Sequence, residues 1–483
     1  MIHFRPVFKV VGVMLLVIGL LMFTGIIFSI THESGDGWYL LWSGLITIGF
    51  GGILFFVGRG STEQVNKREG YLIVALGWVS MVFFGMSPYL ISGVIPNITN
   101  AVFETVSGMT TTGASILNDI EVVPEGILYW RSLTQWIGGM GIIVLTVALF
   151  PLLGIGGIEL FVAEAPGPTS DKLHPRIQET AKRLWFIYVG LTVLLGIILK
   201  VAGMTTYDAV NHALTTMATG GFSTKNASMM YYDIPAIQYP IIIFMFIAGT
   251  NYSVIYFSLR GRFKEVLKSD EFKTYLGLIV ALSVILMFVV HNVTDLSFEK
   301  SFRDSAFQVI SIITTTGFVS ADYTSWTSWV TMLFFVMLFL GACSGSTSGG
   351  IKIIRHLVFF KNSVLEFKRL LHPNAIVPLR LSGETVRPRI LTHILVFLLL
   401  YLMLFVIGSM LVTMMGMDFL SAIGAVATSL GNVGPAIGSV GPVNNFADVP
   451  MAAKWLLCFL MLLGRLELFT ILVLFTPYFW RAN

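Results

Sequence analysis

Thr314-Thr315-Thr316-Gly317-Phe318 decides how this chain is read, because the chain carries the same signal four times. It recurs as Thr110-Thr111-Thr112-Gly113-Ala114, more loosely as Ala218-Thr219-Gly220-Gly221-Phe222, and in degenerate form as Gly431-Asn432-Val433-Gly434-Pro435. Aligning Gly113, Gly221, Gly317 and Gly434 gives intervals of 108, 96 and 117 residues, and upstream positions fall into register. Thirteen residues before each glycine stand Asn100, Asp208, Asp304 and Ser421; nine before stand Glu104, His212, Gln308 and Ala425. A polar residue, a short half-buried helix and a hydroxyl-rich turn on glycine, repeated four times, predict a pseudo-fourfold object.

Composition names the solvent. Hydrophobic residues make up 55% of the 483 and charged residues 12%, against roughly 25% charged in soluble domains. The chain reads as an all-α polytopic membrane protein. Its two cysteines, Cys343 and Cys458, lie in apolar or glycine-rich stretches. They exclude a disulfide framework and the usual cysteine metal site, and read as packing residues. Arg5 and Lys9 precede the apolar run Val11 to Ile30, which is long enough to span and lacks a small-residue cleavage site. A retained first helix is expected.

Ten apolar segments are long enough to cross, at about 10–31, 38–58, 71–93, 127–153, 184–204, 237–259, 274–293, 327–360, 391–416 and 452–479. Between four pairs of them lie shorter pieces at about 99–110, 207–218, 303–314 and 420–431, each ending at a filter-like glycine turn. At about 1.5 Å per residue these are too short to span. They suit re-entrant half-helices, whose freed backbone must be satisfied by protein or water and not lipid. The expected organisation is a leading helix pair (1–66), pore repeats at 67–153, 154–262, 263–360 and 387–483, and a basic cytoplasmic loop (361–386).

Charge placement orients the chain. With the N-terminus inside, Arg59, Lys67, Arg68, Lys172, Arg176, Arg260, Lys264, Lys361, Lys368, Arg369 and Arg380 fall on the inner side. That asymmetry satisfies the positive-inside rule and puts both termini in the cytoplasm. Glu33, Asp119, Glu121, Asp208, Asp233, Asp304, Asp322 and Asp418 fall outside, where an acidic vestibule concentrates cations. Simple solvation of the outer loops is the plainer account of the same residues.

The repeated turn suits a monovalent cation. Replacing an ion's water calls for oxygens that are fixed but do not bind too strongly, and backbone carbonyls are such dipoles. Successive carbonyls face one way only with unusual dihedrals, which glycine adopts cheaply. The candidate ligands are Thr111, Thr112, Gly113, Gly220, Gly221, Thr315, Thr316, Gly317, Asn432, Val433 and Gly434. Glu104, His212 and Gln308 either enter the path or, as such residues more often do, brace the half-helices; Glu104 is the strongest functional candidate, since an intramembrane carboxylate is costly without a partner.

The segment 327–360 would be about 50 Å long as one helix, and its middle holds Gly341, Ser344, Gly345, Ser346, Thr347, Gly349 and Gly350. Glycine and serine at that density break a helix, so a non-helical loop below the turns is expected, where a gate would sit. Arg465 lies midway along the last helix and is expected to hold that loop's carbonyls, a salt bridge to another helix being the plainer alternative. Glu467, on a different helix face, is no obvious partner.

These motifs, with Gln135-Trp136-Ile137-Gly138-Gly139-Met140-Gly141, Glu164-Ala165-Pro166-Gly167-Pro168, Leu371-His372-Pro373-Asn374-Ala375 and Gly464-Arg465-Leu466-Glu467, resemble the TrkH/TrkG/KtrB superfamily of potassium-translocating subunits, most closely its TrkH/TrkG branch. The resemblance implies potassium uptake across a bacterial inner membrane and a homodimer with one pore per protomer. It also implies a cytosolic TrkA-type nucleotide-binding ring on the inner face. The four glycines would line the filter, 341–350 would be the gate and Arg465 its partner. The transported K+ is the only ion implied; no organic cofactor and no nucleic acid are expected, and the lipid bilayer is the surround. The basic loop, whose 376–384 stretch suits a short hairpin, fits either a partner surface or anionic lipid. Two other classes compete. A secondary transporter coupling a cation or small solute to H+ or Na+ (symport) should show a twofold repeat with paired broken helices, whereas here the repeat is fourfold and one helix is obviously broken. An enzyme would need a metal or nucleophile motif, and neither HExxH nor GxSxG occurs.

Overall fold

The structure, a computed structural model, describes residues 2–59, 66–144 and 177–481. It is an all-α polytopic membrane protein: a leading helix pair, then four units of helix, half-helix, turn and helix around one axis. Six helices among the described residues are long and apolar enough to cross a membrane: Phe4–Thr31, Gly37–Val57, Arg68–Ser92, Arg183–Val201, Asp270–Thr294 and Pro388–Met414. The other four expected spans behave differently. Glu125–Val144 runs toward residues outside the described set, where the 153/154 repeat boundary and the 164–168 motif also lie.

The remaining three are interrupted, which corrects the expectation of one broken helix. Pro235–Ala248 and Tyr252–Leu259 meet at 110°, and Met451–Arg465 and Phe469–Phe475 at 109°. Ser328–Met337 and Ile353–Leu371 are separated by the glycine-serine stretch. Both bends have a cause in the backbone. At Gly249 the carbonyl accepts from Cys343 N at 3.0 Å, and Asn251 caps the next helix through Ser253 N at 2.8 Å. At Leu468, φ 52° and ψ −61° place Phe469 N 2.5 Å from Glu467 O, a tight three-residue turn of the rarer, strained hand. Thr250 and Asn251 interrupt the first run and Arg465 and Glu467 the second, yet each pair still averages apolar across its bend, so hydropathy alone passes over them.

The leading pair packs through glycine. A Cβ on Gly12 would lie 2.6 Å from Phe55 N, and one on Gly44 would lie 2.9 Å from Gly19 O. Backbones approach this closely only over small residues, the usual device where lipid supplies no hydrophobic drive between helices.

The half-helices are Ile98–Met109, Thr206–Met217, Phe298–Ile313 and Phe419–Gly431. Each begins at a side-chain cap: Asn97, Thr205, Ser297 and Asp418 accept from the backbone N of Asn100, Asp208, Lys300 and Ser421. Each cap is worth about 1 kcal/mol. The third starts earlier than the expected 303. Ser297 supplies its cap there, and Glu299 pairs with Arg303 one turn on at 2.9 Å. In the basic loop, Arg380–Leu381 pairs antiparallel with Glu384–Thr385. Positive φ at Ser382 and Gly383 (50° and 90°) makes the two-residue turn that matches strand twist.

Candidate functional site

The four turns share one backbone conformation for most of their length. Thr111, Thr219, Thr315 and Asn432, each two residues before the aligned glycine, have φ of 53°, 53°, 57° and 52°. Gly113, Gly221 and Gly317 follow at 84°, 78° and 81°. The amides fold back onto the half-helices: Thr112 N donates to Ser107 O at 2.8 Å, Gly220 N to Thr215 O at 2.9 Å, Thr316 N to Ser311 O at 2.8 Å and Val433 N to Thr428 O at 3.0 Å. With the amides engaged and left-handed residues alternating with others, the carbonyls project the other way. Those of Thr111, Thr112, Gly113, Thr315, Thr316 and Gly317 accept no hydrogen bond from the described residues.

The glycines also touch in order around a ring. A Cβ on Gly113 would strike Gly220 O, and one on Gly221 would strike Thr316 O and come within 3.0 Å of Gly317 C. One on Gly317 would be 2.8 Å from Gly434 N, and one on Gly434 would be 3.0 Å from Gly113 O. The circuit closes. Hydrogen bonds among the segments that follow the turns close it again: Arg131 Nη1 to Ser223 O (3.2 Å), Met230 N to Val319 O (3.0 Å), Tyr323 Oη to Ala436 O (2.7 Å) and Phe446 N to Ser115 O (2.8 Å).

Three sequence readings need amendment. Gly434 is absent from the positive-φ glycines, because Pro435 follows it and the residue before proline is steered to extended backbone. Thr219 shares the conformation of Thr111 and Thr315 and joins the candidate ligands at the same place in the aligned register. Gln135 does more than mark a motif. Its Nε2 donates to Gly220 O at 2.7 Å and its Oε1 accepts from Phe222 N at 3.1 Å, so its amide props the second turn.

The polar residues nine before the glycines reach the chain leaving each turn. Glu104, fully buried, accepts from Ser115 Oγ (3.0 Å), Ile116 N (2.9 Å) and Arg131 Nε (2.7 Å). Arg131 also stacks over Phe222 with Cζ 3.5 Å from the ring centre, tying the first turn to the second. His212 Nδ1 lies 2.8 Å from Asp208 O, which leaves Nε2 to accept from Ser223 Oγ at 2.9 Å. Gln308 Nε2 donates to Ser320 Oγ at 3.3 Å. The fourth repeat has Ala425 here and no such link.

The glycine-serine loop lies directly beneath the ring. Gly341 N donates to Ile351 O at 2.8 Å, and Ser346 Oγ donates to Cys343 O at 2.6 Å; both closures fold the loop on itself. Gly345 and Gly350 take positive φ (68° and 67°), and Gly345 O accepts from Tyr252 N at 3.1 Å. Thr347 Oγ1 sits 3.1 Å from Met217 O and 3.3 Å from Thr219 Oγ1, at the foot of the second turn. Gly349 N donates to Thr315 Oγ1 at 2.7 Å, and a Cβ there would be 2.7 Å from Gly431 O, at the feet of the third and fourth. Ser344 is held by Glu271, through its N at 2.6 Å and its Oγ at 3.0 Å.

Arg465, 2% exposed, spans the gap that remains: Nη1 donates to Thr347 O at 2.8 Å and Nη2 to Gly138 O at 3.0 Å. Glu467 pairs instead with Arg355, on the helix leaving the loop. Sequence spacing on one helix could not reveal that partner, nor Glu271, which no motif marked.

A profile of the TrkH family, described as cation transport protein, matches residues 40–481. The Trk system potassium uptake protein TrkH of Salmonella typhimurium is 41% identical over 99% of this chain and 100% of its own length. The Trk system potassium uptake protein TrkG of Escherichia coli is 32% identical over 99% of each chain. The crystal structure of the potassium transporter TrkH from Vibrio parahaemolyticus superposes with a TM-score of 0.90 at 36% identity, covering 99% of this chain and 100% of that one. A ring of four glycine turns over a glycine-serine loop thus sits on a scaffold that a family profile, curated relatives and a solved structure share over nearly the whole length: the chain belongs to the TrkH family of cation transport proteins, a family of transporters and not of enzymes.

Proposed function

We propose that this chain is the ion-translocating subunit of a Trk-type potassium uptake system of the bacterial inner membrane. The closed ring of four turns, with amides folded back and the carbonyls of the first and third turns free of hydrogen bonds from the described residues, carries this reading. Carbonyls of Thr111, Thr112, Gly113, Thr219, Gly220, Gly221, Thr315, Thr316, Gly317, Asn432, Val433 and Gly434 replace the water of a K+ ion. The C-terminal ends of four half-helices add partial negative charge at the same centre. Glu104, His212 and Gln308 hold the turns in shape. Gly341 to Gly350, wedged beneath three of the turns and pinned by Arg465, is the gate. Relatives named for a Trk system support a cytosolic regulatory partner of TrkA type, and we assign the inner side to the basic loop and both termini. A homodimer with one pore per protomer completes the proposal.

A cation-coupled secondary transporter is the second reading, favoured by the three interrupted helices. The contact order of the ring, fourfold and not twofold, counts against it. The test is growth of a potassium-uptake-deficient bacterium at low potassium, with rubidium flux into liposomes holding the purified protein and its regulator. Flux of neither potassium nor rubidium refutes the proposal. Flux that requires a proton or sodium gradient selects the second reading.

A further inference from the structure

Asp270 and Glu271 are consecutive at the inner end of Asp270–Thr294, yet their side chains hold two different parts of the protein. Asp270 faces the cytoplasmic hairpin. Its Oδ2 accepts from Ser382 N at 3.0 Å and from Lys361 Nζ at 2.8 Å, while its own N donates to Ser382 Oγ at 3.0 Å. Ser382 is a central residue of the hairpin turn, and Leu379 and Leu381 anchor that hairpin against Ile354, Val358 and Ile394. Glu271 faces inward, 5% exposed, and its two oxygens take the N and Oγ of Ser344 in the gate loop. Ser344 is itself wholly buried.

We infer that Asp270 and Glu271 form a two-residue relay through which the cytoplasmic hairpin sets the position of the gate loop, with Glu271 as the residue that positions Ser344. The inference rests on the reading of 341–350 as the gate and adds its regulation. Consecutive residues in the first turn of a helix move as one body, because their backbone dihedrals are fixed together. A load on the hairpin tilts that turn through Asp270, and Glu271 carries the tilt to Ser344. The carboxylate suits this role. A buried acceptor that loses its donors incurs the full desolvation penalty, so the loop and Glu271 move together more readily than they part. Exposed basic residues on and beside the hairpin, Arg380, Arg387 and Arg389 among them, give an acidic protein surface something to grip.

The test uses the full-length protein in liposomes, with rubidium flux and the rubidium-to-sodium ratio as readouts. Asp270→Ala removes the carboxylate's hold on Ser382 N and Lys361 and leaves only the backbone bond to Ser382 Oγ, Glu271→Gln weakens the hold on Ser344, and the double variant does both. Each single variant is expected to raise flux about threefold to tenfold with the ion ratio unchanged. The double variant is expected to exceed the larger single by less than about twofold, because two links of one relay are not additive. Multiplying effects overturn the relay, as does an inert Asp270→Ala beside an active Glu271→Gln. If Glu271→Gln fails to assemble, Ser344→Ala removes only the Oγ bond and must raise flux in the same direction by less; no rise overturns the relay too. A wild-type protein that passes no rubidium refutes the ion path itself, whereas a conducting wild type with unchanged variants refutes only the relay.

Discussion

Replacing Arg465 with alanine is expected to raise flux while leaving ion preference alone, and the structure sets the size. The guanidinium makes one bond to each side of the gap: Thr347 O in the loop at 2.8 Å and Gly138 O in Glu125–Val144 at 3.0 Å. If the loop leaves, the Thr347 bond breaks and the Gly138 bond does not. A hydrogen bond from a charged donor is worth about 1.5–3 kcal/mol. Losing it favours the displaced loop by that amount, or about 10- to 150-fold in the ratio of displaced to seated loop. Charge also acts, since a cation below the ring repels an arriving ion. Two further variants separate the effects. Arg465→Lys keeps the charge but loses the fork, and Arg465→Gln keeps a donor without the charge. Rubidium flux into liposomes under a fixed gradient gives the size, and rubidium against sodium gives the preference. If flux in Arg465→Ala stays within about twofold of wild type in folded protein, the loop is not held by this residue. A shift in ion preference would mean that Arg465 shapes the ring and not the loop.

Gly317→Ala should change the rubidium-to-sodium ratio and lower thermal stability by about 1–2 kcal/mol, the usual cost of left-handed backbone with a Cβ; Gly434→Ala, free of that strain, should be milder in a thermal melt, and equal effects would refute the distinction. Arg131→Met should destabilise by about 3–5 kcal/mol by stranding buried Glu104, and adding Glu104→Leu should restore part of the loss; an unrescued double variant would show that the pair acts through something else. Asp233, in the loop before Pro235–Ala248, is pushed up by burial but more strongly held down by hydrogen bonds from Lys300 and Arg303, so its carboxyl lies below the ordinary 3.8. Its contribution is therefore present above that value and fades as pH falls through the lower folded one. The melting difference between wild type and Asp233→Asn should be constant from pH 7 to pH 5 and shrink in stronger acid; a difference that grows on acidification contradicts the assignment.

The sequence showed repetition better than it showed bending. The register of Gly113, Gly221, Gly317 and Gly434 was visible because each turn needs the same dihedrals, and dihedrals select residue types. The break at 341–350 was visible for the same reason. The bends at Gly249 and Leu468 were not, because one is held by Cys343 from far along the chain and the other by left-handed backbone at Glu467 and Leu468, residue types that do not announce it. Partners far apart in sequence were equally hidden. Glu271 meets Ser344 across 73 residues and Arg355 meets Glu467 across 112, and no spacing rule reaches so far. Gly434 erred in the opposite direction: its alignment was right, but Pro435 overrode the conformation that the alignment implied.

The circuit of contacts from Gly113 through Gly221, Gly317 and Gly434 is drawn by one polypeptide. In a ring assembled from four identical chains, every mutation rewrites all four walls at once, and intermediate compositions are out of reach. Here each wall has its own codons. Asn432 can stand where Thr111, Thr219 and Thr315 stand elsewhere, and Pro435 can stiffen one quarter while the other three keep their glycine geometry. Such a ring can be tuned in quarter steps, and any asymmetry among its walls is a heritable setting of the proposed ion path.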